Sequence, residues 1–238
     1  VQRDIIQKIT TFQEICSSLK AEKVKKKPLP GPKGRWGGML QRRRVALLFV
    51  EGAVMDGKDR NSPLLGRVLG DEALVKSITE LTDQSRVKAV VLRINSGGGS
   101  AIAHENIYRA LKGLARKKPL VVSMGSVAAS GGDWVSFAGP RGFAGETTVA
   151  GSIGVISMLF TIHRLLESRG IGIDMIKQGE SADEGSALRD MTDAEEERME
   201  LAVRQVYRSF IRRTAKARSM TEKAAEEAAG GRVWSGKD

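Results

Sequence analysis

A chain of 238 residues that is 41% hydrophobic and 28% charged has ample material to bury a core, as one α/β domain with an appendage. Its one cysteine, Cys16, excludes an internal disulfide and a cysteine-based zinc site. The formal net charge of +11 is the unusual number, and much of it gathers near the start.

Residues 1–19 place Ile5, Ile6, Ile9, Phe12 and Ile15 at near-helical spacing, which predicts an amphipathic helix. Residues 20–41 are rich in Lys, Pro and Gly, and Pro28, Pro30 and Pro32 forbid a continuous helix, so the stretch reads as a linker. Lys20, Lys23, Lys25, Lys26, Lys27, Lys33 and Arg35 lie in it, and Arg42, Arg43 and Arg44 follow. Such a block can meet nucleic acid or an anionic membrane surface, or it can be a solvated basic linker. Trp36 is the sole aromatic among these cations, so the solvated linker is preferred and no nucleic-acid partner is expected.

The folded body is expected over residues 42–238. Residues 45–50 form an apolar run of strand length, and residues 71–83 carry Leu74, Ile78 and Leu81 at helical spacing. Residues 87–94 are β-branched and apolar, as a buried strand requires. A helix over 102–116, a buried strand over 120–124, a helix over 131–138 and a short strand near 142–144 continue the alternation. A helix over 159–169, a strand over 173–177 and a long helix over 193–217 follow. Thr192 is its expected N-cap, with Glu195–Glu197 in its first turns. Thr221 caps a last helix over 222–229 that Gly230 and Gly231 end. Strand–helix alternation of this kind predicts parallel βαβ units with right-handed crossovers.

No apolar run reaches the roughly 18–20 residues that span a bilayer; the run over 149–160 is broken by Gly151, Ser152 and Gly154. The opening residues do not read as a signal peptide. Both ends read as cut from something longer, so a membrane anchor is expected outside these residues.

Two glycine-rich turns carry the chemistry. Asn95-Ser96-Gly97-Gly98-Gly99-Ser100 follows the strand over 87–94, and Ala128-Ala129-Ser130-Gly131-Gly132 follows the strand over 120–124. Both stand at the carboxyl ends of strands, where open α/β sheets place their sites. A serine between Ala and Gly at a strand-to-helix turn presents its hydroxyl at a helix N-terminus, where backbone N–H groups can hold an oxyanion. Taken alone, the first turn is also open to reading as a tight structural loop or a phosphate cradle. It lacks the P-loop Lys-Ser/Thr ending and the G-x-G-x-x-G spacing.

These residues resemble those of a known family. Arg93-Ile94-Asn95-Ser96-Gly97-Gly98-Gly99-Ser100 is similar to R-I-D-S-P-G-G-S, and residues 124–132 to M-G-x-x-A-A-S-G-G. Val149-Ala150-Gly151-Ser152-Ile153-Gly154-Val155 resembles L-T-G-S-I-G-V, and Gly231-Arg232-Val233-Trp234-Ser235-Gly236 resembles G-R-V-[YW]-[ST]-G. In this order they resemble the signal peptide peptidase A family, serine proteases of Ser-Lys type. The resemblance implies a crotonase/Clp-protease-like α/β spiral of ββα units with mainly parallel sheets. It places Ser130 on the nucleophile, Ser152 on the serine that orients the general-base lysine, and Gly99 and Gly131 on the oxyanion-hole N–H donors. For Ser152 a plain turn residue in a Gly-flanked loop is the alternative. No cofactor or metal is implied. Asn95 replaces the family's usual Asp, Gly97 its Pro, and Asp133-Trp134 an aromatic pair, which bears on substrate preference and loop rigidity.

The base is the missing part. A Ser-Lys dyad needs a neutral lysine to accept the serine proton. In single-repeat family members it sits in a segment like I-K-S-G-x-x-K-D. Here that segment is Ile176-Lys177-Gln178-Gly179-Glu180-Ser181-Ala182-Asp183, so Ala182 stands at the catalytic position and Lys177 matches a non-catalytic lysine. His104 and His163 are read as surface or satisfied structural residues. Tandem members split the dyad between repeats, and this chain resembles the C-terminal, serine-bearing one. The resemblance then implies an endopeptidase acting on hydrophobic or signal peptides, with a lysine-bearing N-terminal repeat of the same protein as partner. It also implies a homo-oligomeric ring at the plastid thylakoid or bacterial cytoplasmic membrane. A catalytically inactive scaffold and a crotonase-like acyl-CoA enzyme are the alternatives.

Overall fold

The computed structural model describes residues 8–9, 43–62 and 66–238. The helix expected over 1–19 and the linker over 20–41 fall outside them, apart from Lys8–Ile9, which form a two-residue strand (β1) rather than helix. The chain divides into two compact units, Val1–Gly154 with Phe210–Asp238, and Val155–Ser209.

The first unit is built on a mostly parallel sheet. Strand β2 (Arg44–Glu51) leads to three short strands, β3 (Ala53–Met55), β4 (Arg60–Ser62) and β5 (Gly66–Gly70), which form a small sheet of their own in the order β3-β5-β4. Helix α1 (Asp71–Asp83) and strand β6 (Val87–Ser96) follow, then helix α2 (Ala101–Lys117) and strand β7 (Leu120–Ala129). The main sheet runs β1-β8-β7-β6-β2, with β8 at Arg141–Ala144. Strand β9 (Val149–Gly151) joins β7 in parallel, and β10 (Val233–Ser235) closes antiparallel on β9.

Why these residues take these places is plain in their burial. Strand β6 buries Val90, Val91, Leu92 and Ile94, so both its faces are covered and it reads as a continuous apolar run. Helix α2 buries Ala103, Ile107, Leu111 and Leu114, a stripe at helical period that packs on the sheet with Leu74 and Ile78 of α1. The Lys118 ammonium donates to the carbonyls of Leu81 and Gln84, satisfying the C-terminal end of α1.

In the second unit the helix expected over 159–169 is only α4, His163–Ser168, and no strand forms over 173–177. A strand is stable only when its backbone is paired, and no described strand pairs with these residues; Ile176 is wholly exposed. Helix α5 (Asp193–Arg218) starts with a capping box, as expected from Thr192. Thr192 Oγ1 accepts from the Glu195 N–H at 3.3 Å, and Glu195 Oε2 accepts from the Thr192 N–H at 2.8 Å. Helix α6 (Glu222–Ala228) is capped by Thr221, whose hydroxyl accepts from the Ala224 N–H. Architecture and alternation together make an α/β fold of the Clp-protease/crotonase kind.

Candidate active site

Strand β6 ends in the first glycine-rich turn, and four hydrogen bonds brace that turn. Ser96 Oγ donates to the Gly52 carbonyl at 2.7 Å and accepts from the Gly98 N–H at 3.1 Å. Val54 of β3 donates its N–H to Gly98 and accepts from the Ser100 N–H, at 3.1 and 2.8 Å. This bridge uses the groups on either side of Gly99, so the Gly99 N–H is directed away from Val54. A β-carbon on Gly99, at φ +143°, would stand 2.0 Å from the Val54 carbonyl oxygen, and only glycine fits.

Strand β7 runs farther than its sequence suggests, to Ala129, and delivers Ser130 directly into helix α3 (Gly131–Ser136). Ser130 has φ 51° and ψ −119°, a conformation that costs a non-glycine residue of order 1–3 kcal/mol. Its N–H is held by the Gly151 carbonyl at 2.8 Å and its carbonyl by the Trp134 N–H at 3.0 Å. Gly131 opens the helix, where an N–H lacks an intrahelical partner. The two turns touch: a β-carbon on Gly98 would lie 2.9 Å from the Gly131 nitrogen and 3.1 Å from Ser130 Oγ.

Ser152 is brought alongside by strand register. Strand β9 pairs Val149 with Val127, Ala150 with Ala128 and Gly151 with Ala129, a constant offset of 22 residues (149 − 127). Ser130 and Ser152 follow the last pair of the ladder at the same offset. Ser152 also has a positive φ, 50°, and donates its N–H to Arg232 at 2.7 Å.

Around this turn the side chains are buried. Trp134 packs on Phe210 at 4.8 Å and donates its indole N–H to Glu105, which pairs with Arg213 at 2.8 Å. Asp133 is buried, accepts from the Ser136 hydroxyl, and has one oxygen without a partner among the described residues. Burial pushes its carboxyl up to about 6, against the opposing pull of Arg218 and Ser136.

His104 is not a surface residue and is only half satisfied. It is fully buried, its Nδ1 stands 2.6 Å from the Ser100 carbonyl, and its Nε2 has no partner among the described residues. A β-carbon on Gly131 would fall 2.4–2.5 Å from three atoms of its ring, so the imidazole lies directly against Gly131. The helical spacing of His104, Ile107, Leu111 and Leu114 was the signal for its burial.

The other base candidates belong to the second unit. Lys177 is engaged by Asp183 at 2.9 Å and by the Glu180 carbonyl. Arg189 first, then Lys177, hold the Asp183 carboxyl well below the usual range. Ala182 is exposed in the same turn. His163 lies 3.4 Å from Asp190, with its Nδ1 buried and without a partner among the described residues.

A serine at a left-handed strand-to-helix turn, on a mostly parallel α/β sheet, defines a protein of the Clp-protease-like class. The Clp protease profile matches residues 69–149, and that of Peptidase family S49 matches residues 112–238. The chain belongs to peptidase family S49. It is 35% identical to the chloroplastic serine protease SPPA of Arabidopsis thaliana over 83% of this chain and 29% of that one. It is 37% identical to protease 4 of Salmonella typhi over 82% of this chain and 31% of that one. A putative protease of Synechocystis is 29% identical over 82% of this chain and 66% of its own. The chain therefore spans about a third of the length of the first two relatives.

Proposed function

We propose that this chain carries the nucleophilic half of a serine endopeptidase, with Ser130 attacking the scissile carbonyl and the Gly99 and Gly131 N–H groups receiving the oxyanion. The observation that carries the reading is the left-handed Ser130, whose hydroxyl stands against Gly98 of the other turn. A hydroxyl held at a sharp turn beside preset backbone donors gains stabilisation as negative charge develops on the carbonyl oxygen. Ser152, next in register, would hold and orient the amine that takes the Ser130 proton.

That amine is a lysine from another repeat of the same protein. Support comes from Ala182, which stands where single-repeat enzymes keep their base, and from Lys177, which is bound to Asp183. Substrates are hydrophobic peptides, including released signal peptides, handled at a membrane through segments outside this chain. No helix among the described residues is long and apolar enough to cross one. Assembly into a homo-oligomeric ring is supported by the exposed Ile156, Met158, Phe160 and Ile176 of the second unit.

Fluorophosphonate labelling of the full-length protein tests the assignment. Adduct mass should map to Ser130, and Ser130→Ala should abolish labelling and peptide-ester hydrolysis while melting near the wild-type temperature. Labelling elsewhere, or near-normal hydrolysis by Ser130→Ala, would remove Ser130 from the role.

A further inference from the structure

We infer that His104 is a positioning residue for the oxyanion donors: its ring carries Gly131 while its Nδ1 holds the Ser100 carbonyl, so one side chain spaces the two glycine-rich turns. The inference rests on the reading of Ser130 as nucleophile.

The two donors come from different strands, Gly99 after β6 and Gly131 after β7. Their separation is set by whatever locks one turn to the other. Part of that lock is the direct contact of Gly98 with Gly131, where a β-carbon would lie 2.9 Å away. His104 supplies the other part from below. Its Nδ1 is 2.6 Å from the Ser100 carbonyl, and a carbonyl only accepts, so the proton of the neutral ring sits on Nδ1. Ser100 follows Gly99, and its own N–H is fixed by Val54. The Nδ1, Cε1 and Nε2 atoms of the same ring fill the space where Gly131 would carry a side chain, at 2.4–2.5 Å from that position.

Nothing else in the site explains why a polar ring is buried there. The Ser100 carbonyl already accepts from the backbone N–H of residue 104 at 3.1 Å. An aliphatic residue would fill the volume and keep that bond, but it could not add the second bond that Nδ1 makes. The imidazole does both, at the cost of an Nε2 lone pair left without a partner among the described residues. Removing the ring would leave a void under Gly131, and the peptide that carries its N–H, still tied through the Ser130 carbonyl to the Trp134 N–H, would have room to shift into it. Because the donors act on charge that exists only in the transition state, the loss should fall on kcat and spare KM. Deleting a donor outright costs a serine protease about a hundredfold to a thousandfold in kcat. Misplacing one should cost less, roughly tenfold or more.

The experiment uses the full-length protein with a peptide ester, and active sites are counted by fluorophosphonate titration. His104→Ala should lose at least about tenfold in kcat per titrated site, with KM within about threefold. His104→Asn can again donate to Ser100 but lacks the ring, and should recover part of the loss. A folded His104→Ala protein with kcat within about twofold of wild type, or with a loss confined to KM, would make His104 a packing residue only. A reading free of variants uses 15N resonances of the His104 ring in the wild-type protein. They should report an Nδ1-protonated neutral ring that shifts when the phosphonyl adduct forms at Ser130, and an unmoved resonance would overturn the inference. Failure of the wild type to label at Ser130 would instead strike the nucleophile assignment.

Discussion

At residue scale the site holds two serines in left-handed conformations, and strain of this kind persists only when surrounding contacts over-determine it. For Ser152 the contacts are the register with Ser130 and the N–H bond to Arg232. If its hydroxyl orients the base, Ser152→Ala should lower turnover of the complete enzyme at least about tenfold, while stability changes by under about 1 kcal/mol. The backbone strain is the same for alanine, so urea melts and peptide-ester turnover separate the two roles. Unchanged turnover would return Ser152 to a plain turn residue. Asp133 makes a different test. Its carboxyl titrates at about 6 folded and near 3.8 unfolded. Between these values the folded state keeps a proton that the unfolded chain has released, so stability falls as pH rises from about 4 to about 6 and levels off above. A displacement of that size is equivalent to about 3 kcal/mol at most. Asp133→Asn removes that titration, while the Arg218 charge left behind offsets part of the gain. The difference between the two melting profiles should therefore change across pH 4 to 6 and stay constant above it; parallel profiles would show that Asp133 does not titrate there.

At the scale of elements, helix α1 and strands β2, β6 and β7 were legible because each carries an unbroken apolar period and a turn signal at its end. The spacing of 22 between the two serines was visible as a number, but its cause, the register of β7 with β9, needs both strands in place. Strands β3, β4 and β5 were missed because strands of three to five residues are too short to show a period. The consequence is functional, since β3 is what braces the first turn. The burial of His104 was readable from helical spacing, yet its contact with Gly131 is a tertiary fact. The same bracing predicts that Gly99→Ala forces β3 off the turn, because the new carbon would meet backbone at 2.0 Å and not a movable side chain. Loss of at least about 2 kcal/mol in chemical denaturation is expected, together with loss of fluorophosphonate labelling. A stable, fully reactive Gly99→Ala protein would mean that the turn does not depend on β3.

For the whole molecule the open matter is where the base comes from, and the predicted answer is that residues 1–238 alone are nearly inactive. The alternation of strands and helices made the fold legible, but a base supplied by another repeat, as proposed, would leave no trace in this chain except Ala182 at the expected position. Lys177, the nearest lysine in that segment, has its ammonium on Asp183, which in turn is held by Arg189. Without a neutral amine in reach, Ser130 stays protonated and is a weak nucleophile at neutral pH. Backbone donors alone leave serine proteases roughly a thousandfold above water, so residual activity rather than none is expected. A lysine partner must bring its amine within about 3 Å of the Ser130 hydroxyl, and recovery should therefore need assembly in one particle. Ala182→Lys offers a second route and should recover activity in part, since the exposed turn around Ala182 does little to keep an amine neutral. Peptide-ester turnover of the isolated chain, of Ala182→Lys and of the full-length protein decides the matter. Full activity from the isolated chain would end the split-dyad reading and turn attention to Lys177 and His163.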